Sequence, residues 1–366
     1  MLKVLLYPFS IIYGIIVFFR NRFYDLGILK SKDFDVPVIS VGNITVGGTG
    51  KTTHIEYLAG ILKDHFRVAV LSRGYKRKTK GFLWVETDTP AIKAGDEPAQ
   101  IKRKFHDVTV AVCENRLKGL EKIFNSDADK PPDVVLLDDA YQHRRIIPGI
   151  NILLIDYNAP IWKDTLLPAG RLREGAAQIR RAGIIIFTKC PENELTPIKR
   201  RLINKEVDLK PYQQLFFSTY EYDKLTPVFT EDCINGNLYT LQSSFSALIV
   251  TGIANPKLIY NFIDQFAEKM LTMDFPDHHY YSDQDVALIM SKFDSIDSDR
   301  KIIITTEKDA VRLRDMTGLP ELLKQVLYYL PVRVKFINEE ENSFNKKILR
   351  YVGENTSNRK LYKKQV

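Results

Sequence analysis

The sequence predicts an α/β protein: a mainly parallel sheet with helices on both faces, a second, smaller α/β domain, and an apolar N-terminal helix. Three observations predict this. Short continuous apolar runs alternate with stretches of helical periodicity from Val36 onward, the same rhythm restarts near residue 246, and residues 4–19 carry no charge. Continuous rather than alternating apolar runs mark strands covered on both faces, as in a parallel sheet wrapped by crossover helices.

The elements follow in order. The run from Val4 to Phe19 is bracketed by Lys3 and by Arg20 and Arg22, and contains Pro8, Ser10 and Gly14. It falls short of the roughly 20 apolar residues of a spanning helix, and no small-residue cleavage site follows it. It reads as a membrane-associating helix lying in the interface, its apolar side in acyl chains and Arg20, Arg22 and nearby lysines on headgroups. The alternative is a helix buried on the protein's own core. Strands are expected at 36–43, 67–75, 107–112, 133–139, 151–156 and 183–189. Between the first two, Ile55, Leu58, Ala59 and Leu62 recur at helical spacing and form one buried face. The stretch FFSTYEYDKLTPVFT suggests a β-ribbon. A second domain then opens with SALIVTGIA (246–254), a helix through LIYNFIDQFAEKM and KIIITTEKDAVRL (301–313), and NRKLYKKQV closes the chain as a frayed basic tail. The expected division is an N-terminal helix over 1–30, a main domain over 31–215, a ribbon linker over 216–245 and a smaller domain over 246–366.

With 366 residues and 45% hydrophobic content, the chain can bury two cores, which excludes a disordered protein. Lys and Arg total 53 against 45 Asp and Glu, a net charge of +8 that favours an anionic partner: phosphate, membrane or nucleic acid. Cys113, Cys190 and Cys233 are odd in number and far apart, so the sequence reads as reduced and cytoplasmic rather than disulfide-bonded. His143, His278 and His279 lack partners at zinc-like spacing.

The chemistry begins at VGNITVGGTGKT (41–52), which leaves an apolar strand and opens an amphipathic helix. Gly47, Gly48 and Gly50 let the backbone bend so that the amides from Thr45 and Val46 through Thr49 to Lys51 cradle phosphates at a helix N-terminus. Lys51 then reaches the β- and γ-phosphates, and Thr52 offers a hydroxyl to Mg²⁺. Thr45 stands where the strict pattern has its first glycine. The fold is therefore P-loop NTPase-like, unless the glycines only join a strand to a helix. Asp138 and Asp139, following VVLL, emerge at the carboxyl edge of the sheet as the expected Mg²⁺ partners; two adjacent acids can also cap a helix.

Together with SRGYKRK (72–78), GDEP (95–98), LDDAYQHRR (137–145), LLPAGRLREG (166–175), TGIANP (251–256), FPDHHYYS (275–282) and TTEKDAVRL (305–313), the loop resembles the tetraacyldisaccharide 4'-kinases, which phosphorylate the lipid A disaccharide precursor in Gram-negative bacteria. The resemblance implies ATP as nucleotide, the lipid precursor as acceptor and a place on the cytoplasmic face of the bacterial inner membrane. It implies Asp96 as catalytic base paired with His278, and Glu174 near metal and nucleotide. Arg73 and Lys76 are candidate phosphate contacts, and Gln142 and Arg144 follow the acidic pair. Ala140 and Tyr141 stand where the family often has Gly and Phe, which bears on local backbone geometry alone. TKC (188–190) faintly resembles the base-reading lysine loop of other P-loop proteins, with Cys190 in place of its acid. No nucleic acid is expected, and a monomer is favoured. A P-loop GTPase or ATPase switch, a metal-delivery protein, and a soluble small-molecule kinase are the competing readings.

Overall fold

The computed structural model describes residues 2–126, 131–229 and 245–363. Its strands are β1 (Val38–Gly42), β2 (Val68–Ser72), β3 (Leu83–Val85), β4 (Thr109–Val112), β5 (Val134–Asp138), β6 (Ile150–Asp156), β7 (Ile184–Thr188), β8 (Gln214–Tyr222), β9 (Thr226–Pro227), β10 (Phe245–Thr251), β11 (Ala267–Asp274), β12 (Lys301–Thr305), β13 (Leu327–Tyr329) and β14 (Val332–Phe336). Helices are α1 (Leu2–Asp25), α2 (Lys51–Lys63), α3 (Ala91–Ala94), α4 (Asp96–Lys104), α5 (Arg116–Phe124), α6 (Pro197–Val207), α7 (Lys257–Ile263), α8 (Asp283–Asp294), α9 (Glu307–Arg314), α10 (Glu321–Val326) and α11 (Glu340–Lys363).

The six apolar runs all become strands of one nine-stranded sheet, ordered β14-β8-β7-β6-β1-β5-β2-β4-β3. Its pairings are parallel except at the edges, where β14 runs against β8 and β3 against β4. β1 lies between β5 and β6, where the winding reverses, so the crevice at its carboxyl end is the place such sheets reserve for ligands. One face packs on α2 through Ile55, Leu58, Ala59 and Leu62, all essentially without solvent exposure, as the periodicity predicts.

The second sheet, β11-β10-β12-β13-β9, has five strands, parallel except for β9 against β13. Here the expected helix through LIYNFIDQFAEKM is corrected: α7 stops at Ile263, and Ala267–Asp274 is strand β11, in register with β10 from Phe245 to Thr251. Pairing along a whole strand outweighs a local helical pattern that its spacing also allowed. The boundaries at 216 and 246 need a second correction. FFSTYEY lies in β8 of the large sheet, and β14 with α11 returns there after β13, so residues 332–363 join the first layer rather than the second. Phe344, Ile348 and Val352, four residues apart and buried, fix α11 to it, and the basic tail continues as helix to Lys363. Cys233 and half of the expected ribbon linker, residues 230–244, lie outside the described residues.

α1 is inverted relative to an ordinary surface helix. Its inward stripe is small and polar: Ser10 donates to the Leu166 carbonyl (3.0 Å) and accepts from the Ala169 amide (2.9 Å), and the Tyr13 hydroxyl donates to the Arg173 carbonyl (2.8 Å). Gly14 lets the helix close on Leu166, whose Cδ1 a Cβ there would meet at 2.8 Å. The outward face holds Phe9, Ile11, Ile12, Ile15, Ile16, Phe18 and Phe19, each more than half exposed. The alternative of a helix buried on the core is therefore set aside, because the apolar side chains point away from it. Arg20 does not project outward; it is bonded to Glu174 at 2.6 Å. Among the described residues no helix is long and apolar enough to cross a membrane.

Candidate active site

Gly50 ends the phosphate loop in the left-handed region (φ 86°) and begins α2 with no side-chain cap, leaving helix amide donors for a ligand. A Cβ on Gly50 would collide with the Tyr220 hydroxyl, so glycine is required there. The loop is braced from three sides. Asn43 donates to the Thr49 hydroxyl (2.9 Å) and the Thr45 hydroxyl (3.4 Å), the Val46 amide donates to the Arg171 carbonyl (2.8 Å), and Lys189 donates to the Gly48 carbonyl. Thr45 also forms a bridge with Leu172, so the residue standing for the first glycine is built into a β-contact rather than a free turn.

Lys51 and Thr52 are the first two residues of α2. Lys51 Nζ lies 3.4 Å from Asn43 Oδ1 and 3.7 Å from Asp139 Oδ1. Asp138, at the end of β5, and Asp139 (φ 47°) therefore stand beside the loop as the sequence suggested. Their environments differ. Burial pushes the Asp138 carboxyl up to about 6, with the charges of Asp139 and Glu97 adding to the effect, while Ser72 donates to its Oδ2 at 2.9 Å. Burial also acts to raise Asp139, but Lys51 and Arg173 overcome it and hold the carboxyl below its usual value. A buried carboxylate short of positive charge beside a second carboxylate, with Thr52 at the start of α2, is an all-oxygen donor set that would suit Mg²⁺ completed by phosphate and water.

Asp96 reaches this site through two glycines placed back to back. A Cβ on Gly95 (φ 95°) would meet Gly74 Cα at 3.0 Å, and one on Gly74 (φ 68°) would meet the Ala94 carbonyl at 2.6 Å, so GDEP packs directly against SRGY at the end of β2. Asp96 opens α4, nearly fully buried, and its Oδ2 lies 2.7 Å from His278 Nδ1. His278, in the left-handed region at φ 61°, stacks edge-on against Tyr75 at 5.2 Å. The pair expected from distant segments thus meets in space. Burial acts to raise Asp96, but hydrogen bonds from His278 and Arg312 and the Arg312 charge draw it down to about 2.

Other expected residues sit elsewhere. Both Glu174 oxygens are bonded, one to Arg20 and Asn21 and the other to Arg181, so here this carboxylate anchors α1. Arg144 bonds the Asn21 carbonyl and Asp25 on the same helix, and Gln142 donates to the Asn43 carbonyl at 2.8 Å beneath the loop. Lys76 donates to the Asp277 carbonyl at 3.3 Å. Arg73, exposed just after β2, remains close enough for its charge to act on Arg116 and His143. Lys189 of TKC bridges the phosphate loop and Asp156 (2.6 Å), and Cys190 is a buried free thiol. Sequence reasoning missed Arg173, which bonds Asp139 at 3.2 Å, and Arg312, although each stands inside a motif already singled out, LLPAGRLREG and TTEKDAVRL.

The sequence profile of the tetraacyldisaccharide-1-P 4'-kinases matches residues 2–353. A tetraacyldisaccharide 4'-kinase of Phocaeicola vulgatus is 47% identical over 356 residues, covering 96% of each chain. One from Flavobacterium johnsoniae is 43% identical over 355 residues, covering 97% of this chain and 98% of its own. Among solved structures, the "apo" form of LpxK from Aquifex aeolicus in complex with ATP superposes with a TM-score of 0.72 at 33% identity, covering 96% of this chain and 99% of that one. A phosphate loop, an acidic pair and an Asp–His pair on one crevice, with likeness over nearly the whole length, make this chain a member of the tetraacyldisaccharide 4'-kinase family.

Proposed function

We propose that this protein transfers the γ-phosphate of ATP to the 4'-hydroxyl of a tetraacyldisaccharide 1-phosphate, giving lipid IVA, at the cytoplasmic face of the bacterial inner membrane. The observation that carries the reading is the meeting of Asp96 and His278 beside a phosphate loop, a pair that can orient an acceptor hydroxyl and take its proton.

In this reading the loop amides other than those of Val46 and Thr49, which bond the Arg171 and Gly47 carbonyls, hold the phosphate tail, and Lys51 turns from Asp139 to the β- and γ-oxygens. Arg73 and Arg173 offset charge on the transferring group. Mg²⁺, held by Thr52 with Asp138 or Asp139, supplies further charge neutralisation. Asp96 orients the sugar hydroxyl and takes its proton. A carboxyl held near 2 is ionised at any working pH, and weak basicity suffices when the proton leaves late in a loose phosphoryl transition state. The nine-stranded unit carries the nucleotide, and the five-stranded unit completes the acceptor side through His278. The outward face of α1 inserts among acyl chains, which supports a peripheral place on the membrane holding the acceptor.

The test is incubation with ATP, Mg²⁺ and the 4'-dephosphorylated disaccharide. A product carrying label from γ-phosphate at the 4' position is expected. Slow ATP hydrolysis without a lipid product would replace the kinase with the switch reading.

A further inference from the structure

Three motifs have no part in holding phosphate, yet they converge on one point. From TGIANP, the Gly252 amide donates to Asp309 Oδ2 at 2.9 Å, and a Cβ on Gly252 would sit 2.8 Å from Asp309 Oδ1. From TTEKDAVRL, the Thr306 hydroxyl donates to the same Oδ2 at 2.6 Å, and Arg312 Nη1 donates to Oδ1 at 2.9 Å. From FPDHHYYS, the His279 carbonyl lies 3.4 Å from Arg312 Nη1. Asp309, with no solvent exposure, thus has both oxygens committed, and one edge of the Arg312 guanidinium is fixed by it.

The other edge of that planar group faces the reacting centre. Arg312 Nη2 donates to Asp96 Oδ2 at 2.5 Å and stands 3.3 Å from His278 Nδ1, with the arginine and aspartate side chains 1% and 3% exposed. A guanidinium can only donate and a carboxylate only accept, so Nδ1 carries a hydrogen toward Asp96. Both donors fall on Oδ2. Asp96 Oδ1 is buried and has no hydrogen-bond partner among the described residues. Ion pairs Lys308–Glu97 (2.6 Å) and Lys104–Glu307 (3.0 Å) flank the contact, so α4 is laced to α9 around it.

We propose that Arg312 is a positioning residue for phosphoryl transfer: it clamps Asp96 through Oδ2, leaves Oδ1 unbonded as the acceptor for the sugar hydroxyl, and ties that carboxylate to the five-stranded sheet. A buried ion pair adds little stability over apolar packing, but a two-edged fork held by Asp309 gives its partner a fixed direction that a lysine point charge does not. The inference rests on the kinase reading and on Asp96 as proton acceptor.

Arg312→Gln removes the charge and the fork. Its kcat is expected to fall about 10- to 100-fold, with KM for ATP unchanged and the acid limb of the kcat/KM profile moved up by about 1 to 3 pH units as Asp96 loses its cation. Arg312→Lys keeps the charge, so its acid limb should stay near the wild-type position while kcat falls part of the way. A Gln variant with wild-type kcat, or with reduced kcat on an unmoved acid limb, overturns the clamp. Where the Gln variant does not fold, as judged by its thermal melt, a Lys variant with full kcat overturns it instead. Asp96→Asn measured in parallel separates the two levels: full kcat there removes Asp96 itself, whereas lost kcat there with wild-type behaviour at Arg312 removes the clamp alone.

Discussion

Asp138 and Asp96 are both buried carboxylates at the rim of one crevice, and their surroundings drive them in opposite directions. Asp138, in the phosphate half, is pushed up to about 6 by burial and by the adjoining charges of Asp139 and Glu97, which the Ser72 hydroxyl and the Lys51 charge offset only in part. Asp96, in the proton half, is drawn down to about 2 by an arginine and a histidine on one oxygen. The first is a site short of a cation, the second a site already supplied with one. Under the proposed function, two titrating groups separated in this way take two tasks: one receives metal and phosphate charge, and the other stays ionised to take a proton.

The sharpest way to break the comparison is kinetic. Lys51→Ala should lower kcat by about a thousandfold or more, both for transfer and for any background ATP hydrolysis, because phosphate charge is left unbalanced. Asp96→Asn should instead spare nucleotide affinity, measured with a fluorescent ATP analogue, while removing transfer. If both variants lose ATP binding equally, the halves are not separate in function.

The two halves also differ in how far the sequence disclosed them. The phosphate half is local: one strand, one loop and one helix within residues 38–63, joined by the end of β5, and strand patterning with glycine spacing was enough to assemble it. The proton half draws on residues 96, 278 and 312, which no periodicity connects. Asp96 and His278 were reached through a family resemblance, and Arg312 was not reached at all. Glu174 shows the same limit: the resemblance placed it near metal and nucleotide, while its ion pairs with Arg20 and Arg181 could not be read from the sequence at all. β14 was missed although Val332, Val334 and Phe336 alternate in it, because its partner β8 lies more than a hundred residues earlier.

A smaller effect concerns what docks on the phosphate half. α1 is tied to the 164–174 loop, where Tyr13 meets the carbonyl of the arginine that bonds Asp139. Ile12→Ser with Ile16→Ser should weaken binding to anionic phospholipid vesicles by about 10- to 100-fold. The melting temperature should not change, because both side chains are largely exposed. Turnover on detergent-dispersed lipid should be retained. Undiminished vesicle binding would mean that another surface holds the membrane.

The smallest effect is on stability, and its sign differs between the two carboxylates. Asp138 has a folded-state value above its unfolded 3.8, so the native protein binds this proton more tightly, and stability is lost as pH rises from about 4 through about 6. Asp138→Asn removes that penalty. In the absence of nucleotide and Mg²⁺ the variant should melt higher than wild type at pH 7 to 8, by roughly 1 to 2 kcal/mol, with the gain vanishing toward pH 4. Asp96 is depressed instead, so its ionised form stabilises above about 4, and that contribution disappears as pH falls toward 2. Asp96→Asn should therefore melt lower than wild type at neutral pH. Melting curves that move in the same direction for both variants at pH 7.5 would show that the crevice does not hold one carboxylate in want of a cation and the other in possession of one.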